Sequence, residues 1–82
     1  MADKEAAEMI PRIDMEGTGR KIREFIERGK VRPYDIMERC NLTTTNAIYK
    51  WMHGKSLPTI DNLIILADFL NVTIDEILVI ER

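Results

Sequence analysis

The sequence predicts a single all-α domain of five short helices. Three observations predict it. Apolar residues recur at i, i+3 and i+4 in successive segments. Capping residues and Gly or Asn stops punctuate those segments. No strand-like alternation of useful length interrupts them. The 82 residues suffice for one domain and no more, and a core this small is stable only when most apolar side chains share it.

Residues 1–16 read as an N-terminal arm, with a short helix over Asp3 to Met9, the break of Pro11, and Ile10, Ile13 and Met15 available to dock on the core. The domain proper is read as 17–82. Its first helix opens at Gly17-Thr18-Gly19, with Thr18 as N-cap, carries Ile22, Phe25 and Ile26 on one face, and stops at Gly29. The second opens at Val31-Arg32-Pro33, where a proline costs nothing because a first-turn N–H has no intrahelical partner. It turns Ile36, Met37 and Cys40 inward and ends at Asn41, a residue that tolerates a left-handed backbone. Thr43-Thr44-Thr45 leads into the third helix, capped at Thr44, with Ala47, Ile48 and Trp51 inward and Gly54 as its stop. Thr59 caps a fourth helix, whose Ile60, Leu63, Ile64, Leu66, Ala67 and Leu70 give it a wide apolar face at the centre of the core. Asn71-Val72-Thr73 breaks that helix. Thr73 with Glu76 three residues on forms a capping box for a fifth helix, lined by Ile74, Ile77, Leu78 and Ile80.

Charge is segregated along the chain. The net charge of −2 divides into −3 over residues 1–16, +5 over 17–55 and −4 over 56–82. A basic middle between acidic ends can present one positive face to a polyanion, although charge of this kind is also what a solvated helix surface carries. No apolar run is long enough to span a membrane, and the acidic, polar N-terminus is not that of a signal peptide. Cys40 is the only cysteine, which excludes an intrachain disulfide and suits a reducing cytoplasm.

Two short helices joined by a tight polar turn describe a helix-turn-helix, here the second and third of five. The second member of such a pair enters a major groove about 12 Å wide and reaches base edges with polar side chains from its N-terminal end. Thr45 and Asn46 stand there, and Tyr49 and Lys50 follow one turn later on the same side. Asparagine can pair bidentately with adenine, lysine can donate to guanine acceptors, and threonine can bond a base edge or pack its methyl on thymine. Thr44, His53 and Lys55 are the backbone-contact candidates.

These residues also carry a resemblance. Ala47-Ile48-Tyr49-Lys50-Trp51, then Gly54-Lys55-Ser56-Leu57-Pro58-Thr59-Ile60-Asp61-Asn62-Leu63, Leu66-Ala67 and Val72-Thr73-Ile74-Asp75-Glu76-Ile77-Leu78, resemble the XRE family, the Cro/C1 phage-repressor type of helix-turn-helix. Ile13-Asp14-Met15 with Thr18-Gly19 resembles a variant found among Gram-positive bacteria. The resemblance spans roughly residues 13–80 and implies a five-helix lambda-repressor-like fold whose third helix reads DNA. It places Thr45, Asn46 and Lys50 at base-contacting sites and Thr44 and Lys55 at backbone-contacting ones. Three features depart from the family pattern. Pro33 replaces a glutamine that bonds a phosphate, the turn before the third helix is one residue longer, and Met52 stands where an acidic residue is common.

The other side chains have plainer readings. Trp51 is core, and Cys40 is a small buried hydrophobe. Tyr49 has two readings, base contact or packing across the helix edge. His53 reads as a surface histidine or a phosphate contact. One cysteine and one histidine cannot make a four-ligand zinc site. There is no nucleophile–base pair and no Gly-rich phosphate loop, so no enzyme, cofactor, metal or small-molecule ligand is expected. The expected partner is double-stranded DNA, bound by a cytoplasmic homodimer, because one domain of this size neutralises few phosphates. Ile74, Ile77, Leu78, Val79 and Ile80 are the interface candidates. The alternative is a protein-interaction module, antitoxin-like or adaptor, on the same fold with residual DNA binding. Net acidity and Pro33 favour the alternative, whereas the polar start of the third helix, with Lys50 and Lys55, favours DNA.

Overall fold

The computed structural model describes residues 10–81. The expected helix over Asp3 to Met9 lies outside them. Five helices run in order: α1 (Met15–Gly29), α2 (Pro33–Arg39), α3 (Asn46–Met52), α4 (Ile60–Leu70) and α5 (Ile74–Ile77). The helices are framed by an element that periodicity does not announce. Arg12–Ile13 (β1) pairs antiparallel with Ile80–Glu81 (β2), Arg12 opposite Glu81 and Ile13 opposite Ile80. Two residues per strand are too few for alternation to register in sequence.

Among the described residues, 12–14 are tied to 79–81. Asp14, not Thr18, caps α1, its carboxylate accepting from the Gly17 N–H at 2.9 Å. Thr18 lies inside the helix, fully buried, and its hydroxyl accepts from the Val79 N–H at 3.0 Å. Asp14 N–H in turn donates to the Val79 carbonyl at 2.8 Å. Two hydrogen bonds thus join segments 61 to 65 residues apart. Ile13 and Met15 are half-buried and Ile10 is exposed. At the other end, α1 includes Gly29, and the left-handed turn falls on Lys30, with φ 56°.

The remaining boundaries follow their local chemistry. Pro33 opens α2. The Asp35 carboxylate reaches back to the Arg32 N–H at 3.1 Å and pairs with the Arg32 guanidinium at 2.8 Å. Asn41 takes the left-handed backbone, φ 58°, and the Leu42 N–H closes the turn on the Met37 carbonyl at 2.9 Å. Thr59 accepts from Asn62 N–H to cap α4, and Asn71 ends it left-handed. At α5, Thr73 and Glu76 exchange both bonds of a capping box, at 3.2 and 2.8 Å. The helix is one turn long, and Ile80 belongs to β2 instead.

The core collects Ile22, Phe25 and Ile26 of α1, Ile36 and Cys40 around α2, Ile48, Trp51 and Met52 of α3, Leu63, Leu66 and Ala67 of α4, and Ile77. Helix α1 packs against α3, α4 and α5, and α2 packs against α3 and α4. The Arg39 guanidinium lies 4.5 Å from the centroid of Phe69, a cation–π contact between α2 and α4. The apolar face of α4 is narrower than its sequence predicts. Leu70 is half-buried, and Ile60 and Ile64 are 76% and 52% exposed. The face turned to the core is set by Leu63, Leu66 and Ala67; Ile60 and Ile64 sit at its edge, beyond the reach of the neighbouring helices.

Candidate nucleic-acid interface

Helix α3 is held from behind and left open in front. Ile48 is completely buried, and Trp51 and Met52 are nearly so. Met52, absent from the expected inward stripe, follows Trp51 around the helix and widens the anchor. The C-terminal end of α3 is fixed by backbone contact with α1. A Cβ placed on Gly19 would lie 2.7 Å from the Trp51 carbonyl oxygen and 2.7 Å from the Gly54 nitrogen. Gly54 itself has φ +70°, and a Cβ there would lie 2.9 Å from the Met15 carbonyl oxygen. Two glycines thus let α1 and the end of α3 approach more closely than side chains permit. The Gly54 N–H bonds the Trp51 carbonyl, and the Lys55 N–H bonds that of Lys50 at 2.9 Å, so Lys55 leaves the helix at a fixed point.

At the N-terminal end the threonines divide the capping work. Thr45 occupies the N-cap position and makes no side-chain cap bond, whereas the Thr44 hydroxyl accepts from the Asn46 N–H at 3.3 Å. Asn46, Lys50, His53 and Lys55 are exposed, and Tyr49 is 46% exposed, so its ring is not drawn into the core. Thr45 is half-buried, which leaves it the least accessible of the expected base-contact residues. From residue 40 to residue 60 the charged side chains are Lys50 and Lys55 alone, with no carboxylate.

Sequence reasoning passed over part of this face. Beside α3 lies a depression whose polar lining is Thr43, Thr44, Asn46, Lys50 and Ser56 and whose apolar lining is Leu42 and Ala47. Ala47 reads as an inward residue because it is apolar, and Leu42 receives no role from the sequence. Both are half-buried and each keeps one side open to this depression. The signal in the sequence is positional: Leu42 immediately precedes the polar Thr43-Thr44-Thr45 run, at the rim of the motif rather than within a helix.

Two pKa shifts mark the ends of neighbouring helices. The hydrogen bond from the Arg32 guanidinium holds the Asp35 carboxyl below its ordinary value, and the Thr73 backbone N–H does the same for Glu76. Burial pushes the Cys40 thiol up, as expected of an inert core cysteine. Among the described residues no group of three or more His, Cys, Asp or Glu side chains is placed to hold a metal ion, and no helix is long and apolar enough to cross a membrane.

One of the interface candidates on the C-terminal segment is turned inward. Ile77 is fully buried within the chain and belongs to the core, so it is withdrawn as an interface residue. Ile74, Leu78 and Val79 are half-buried, and Ile80 is 49% exposed.

Comparison with known proteins gives a consistent family. A family model described as helix-turn-helix matches residues 36–77, just over half of the chain, from the middle of α2 to the end of α5. Among solved structures, the restriction-modification controller protein C.AhdI from Aeromonas hydrophila superposes with a TM-score of 0.69 at 17% identity, covering 78% of this chain and 96% of that one. At that identity the likeness is one of fold. No curated protein matches the chain.

Proposed function

Because the chain belongs to the XRE-type helix-turn-helix family, we propose that it is a sequence-specific DNA-binding regulator of transcription, a repressor, that reads the major groove with α3. One observation carries the reading: Asn46, Tyr49 and Lys50 stand exposed on the solvent side of a helix anchored by Ile48 and Trp51, with Lys55 just beyond and no carboxylate between residues 40 and 60. In this reading Asn46 and Lys50 contact base edges, with Tyr49 and Thr45 beside them. Thr44, His53 and Lys55 contact the phosphate backbone. The likeness in fold to C.AhdI, a restriction-modification controller protein, supports a regulatory role. The protein works in the cytoplasm, without a cofactor, a small-molecule ligand or a membrane.

The DNA-bound form is a homodimer. A monomer of this size meets few phosphates, and a two-fold pair sets two recognition helices about 34 Å apart on a pseudo-palindrome. Ile74, Leu78, Val79 and Ile80 remain the pairing candidates on the C-terminal segment. Exposed Ile60 and Ile64 also favour the second reading, a protein-interaction module whose partner covers α4.

The test is fluorescence anisotropy of the full chain against a randomised duplex pool at low and moderate salt, with the bound fraction sequenced. A short palindromic motif, bound less tightly as salt rises, is the expected result. No binding at low salt would leave the interaction module in its place.

A further inference from the structure

The depression beside α3 has a composition that phosphate contact does not explain. A phosphate site needs donors throughout. Here Leu42 and Ala47 contribute apolar lining, while Asn46 and Lys50, the exposed pair one turn apart on α3, line the same depression. Leu42 and Ala47 are also joined to the core cluster, so their position is fixed from behind. An apolar seat between a side-chain amide and an ammonium matches one feature of the major groove. Thymine alone among the four bases presents a methyl group there, next to its O4 acceptor.

We propose that this depression is a thymine-reading site: the 5-methyl group seats on Leu42 and Ala47, and the Lys50 ammonium donates to O4 of the same base. The assignment rests on the reading of α3 as the DNA-contacting helix and adds a base identity to it. It also moves methyl recognition from where the sequence suggests it. Thr45 has a methyl of its own but is half-buried at the N-cap and does not line the depression, so Leu42, which precedes the helix, takes that role.

The test uses the full chain and the duplex motif enriched from the randomised pool. Each thymine of the motif is replaced in turn by deoxyuridine, which removes only the methyl. At one position per half-site the substitution weakens binding about three- to five-fold, the effect of one buried methyl group. In Leu42→Ala and in Ala47→Ser, each confirmed folded by circular dichroism, the thymine-to-uracil ratio at that position falls towards one. A motif without thymine, or one in which no thymine responds to uracil, would overturn the assignment, and the scan on the unaltered protein decides this without any variant. A response that persists undiminished in both variants would place the methyl elsewhere and overturn it too. Failure of the chain to enrich any motif is a different outcome, because it removes the DNA reading itself.

Discussion

Asn46 and Lys55 stand only nine residues apart, yet they differ in what they can tell a duplex. Asn46 offers a donor and an acceptor on one short arm at the exposed start of α3. Asn46→Ala is expected to cost about 1–3 kcal/mol and to relax preference at one base pair, measured by competition anisotropy with single-base variants of the enriched site. Unchanged affinity and unchanged preference would mean that the contact register is wrong. Lys55 is a point charge just past the helix, so Lys55→Ala should weaken binding on all sequences alike and flatten the salt slope by about one unit. The sequence made the exposed polar face of α3 legible because polar side chains at the start of a short helix are conspicuous. It did not make Leu42 and Ala47 legible. An apolar residue that fills core with one side and lines a depression with the other looks, in a string of letters, like any core residue. Thr18 shows the same limit from the other direction: a threonine between two glycines has the composition of a cap, but its hydroxyl serves Val79, 61 residues away.

Most elements with a local signature were read correctly, and those with a distant cause were not. The capping box at Thr73 and Glu76, the cap at Thr59, the proline opening α2 and the left-handed Asn41 depend on neighbours within a few residues. The β1–β2 pairing and the bond from the Val79 N–H to Thr18 depend on segments more than 60 residues apart, whereas the Asp14 cap is local and is overlooked because Thr18, three residues after Met15, looks like the better cap. Two predictions belong to this scale. The Glu76 carboxyl is held below its ordinary value, first by the Thr73 N–H. Its contribution is therefore complete above the ordinary carboxylate range and is lost as the pH falls through the depressed folded value. Glu76→Gln keeps a carbonyl oxygen for the Thr73 N–H, so the variant should remain folded at neutral pH and lose less of its thermal stability on acidification than the parent, read by melting curves across a pH series. An unaltered acid response would assign the loss to other carboxylates, Asp35 first. The second concerns the contact that sets α3. With a Cβ 2.7 Å from backbone atoms of Trp51 and Gly54, Gly19→Ala should destabilise by about 1–3 kcal/mol, measured by urea unfolding. A neutral effect would show that α1 and α3 can separate without cost.

For the whole molecule, net charge is a poor guide and its distribution a better one. A total of −2 argues against a polyanion partner, yet the stretch from residue 40 to residue 60 has two lysines and no carboxylate, and the acidic residues gather before and after it. The fold makes that distribution useful by anchoring α3 on Ile48, Trp51 and Met52 and holding its end on α1. Five helices and their order were legible as a whole because each carries its own period and cap. The exposure of Ile60 and Ile64 was not, since a helix wheel shows which residues are apolar and not how much of that face its neighbours cover. A homodimer on DNA would bind a palindrome cooperatively, and Ile80→Asp should lower that cooperativity in a titration of full and half sites. A half-site bound as tightly as the full site by the parent protein would contradict the pairing. The most direct test of the central claim, that α3 and the residue after it form the DNA-contacting surface, is an NMR titration of the isotope-labelled full chain with the enriched duplex. The largest amide shifts are expected at Thr44, Asn46, Lys50 and Lys55, with α4 and α5 little changed. Shifts concentrated around Ile60 and Ile64, with α3 unmoved, would contradict it.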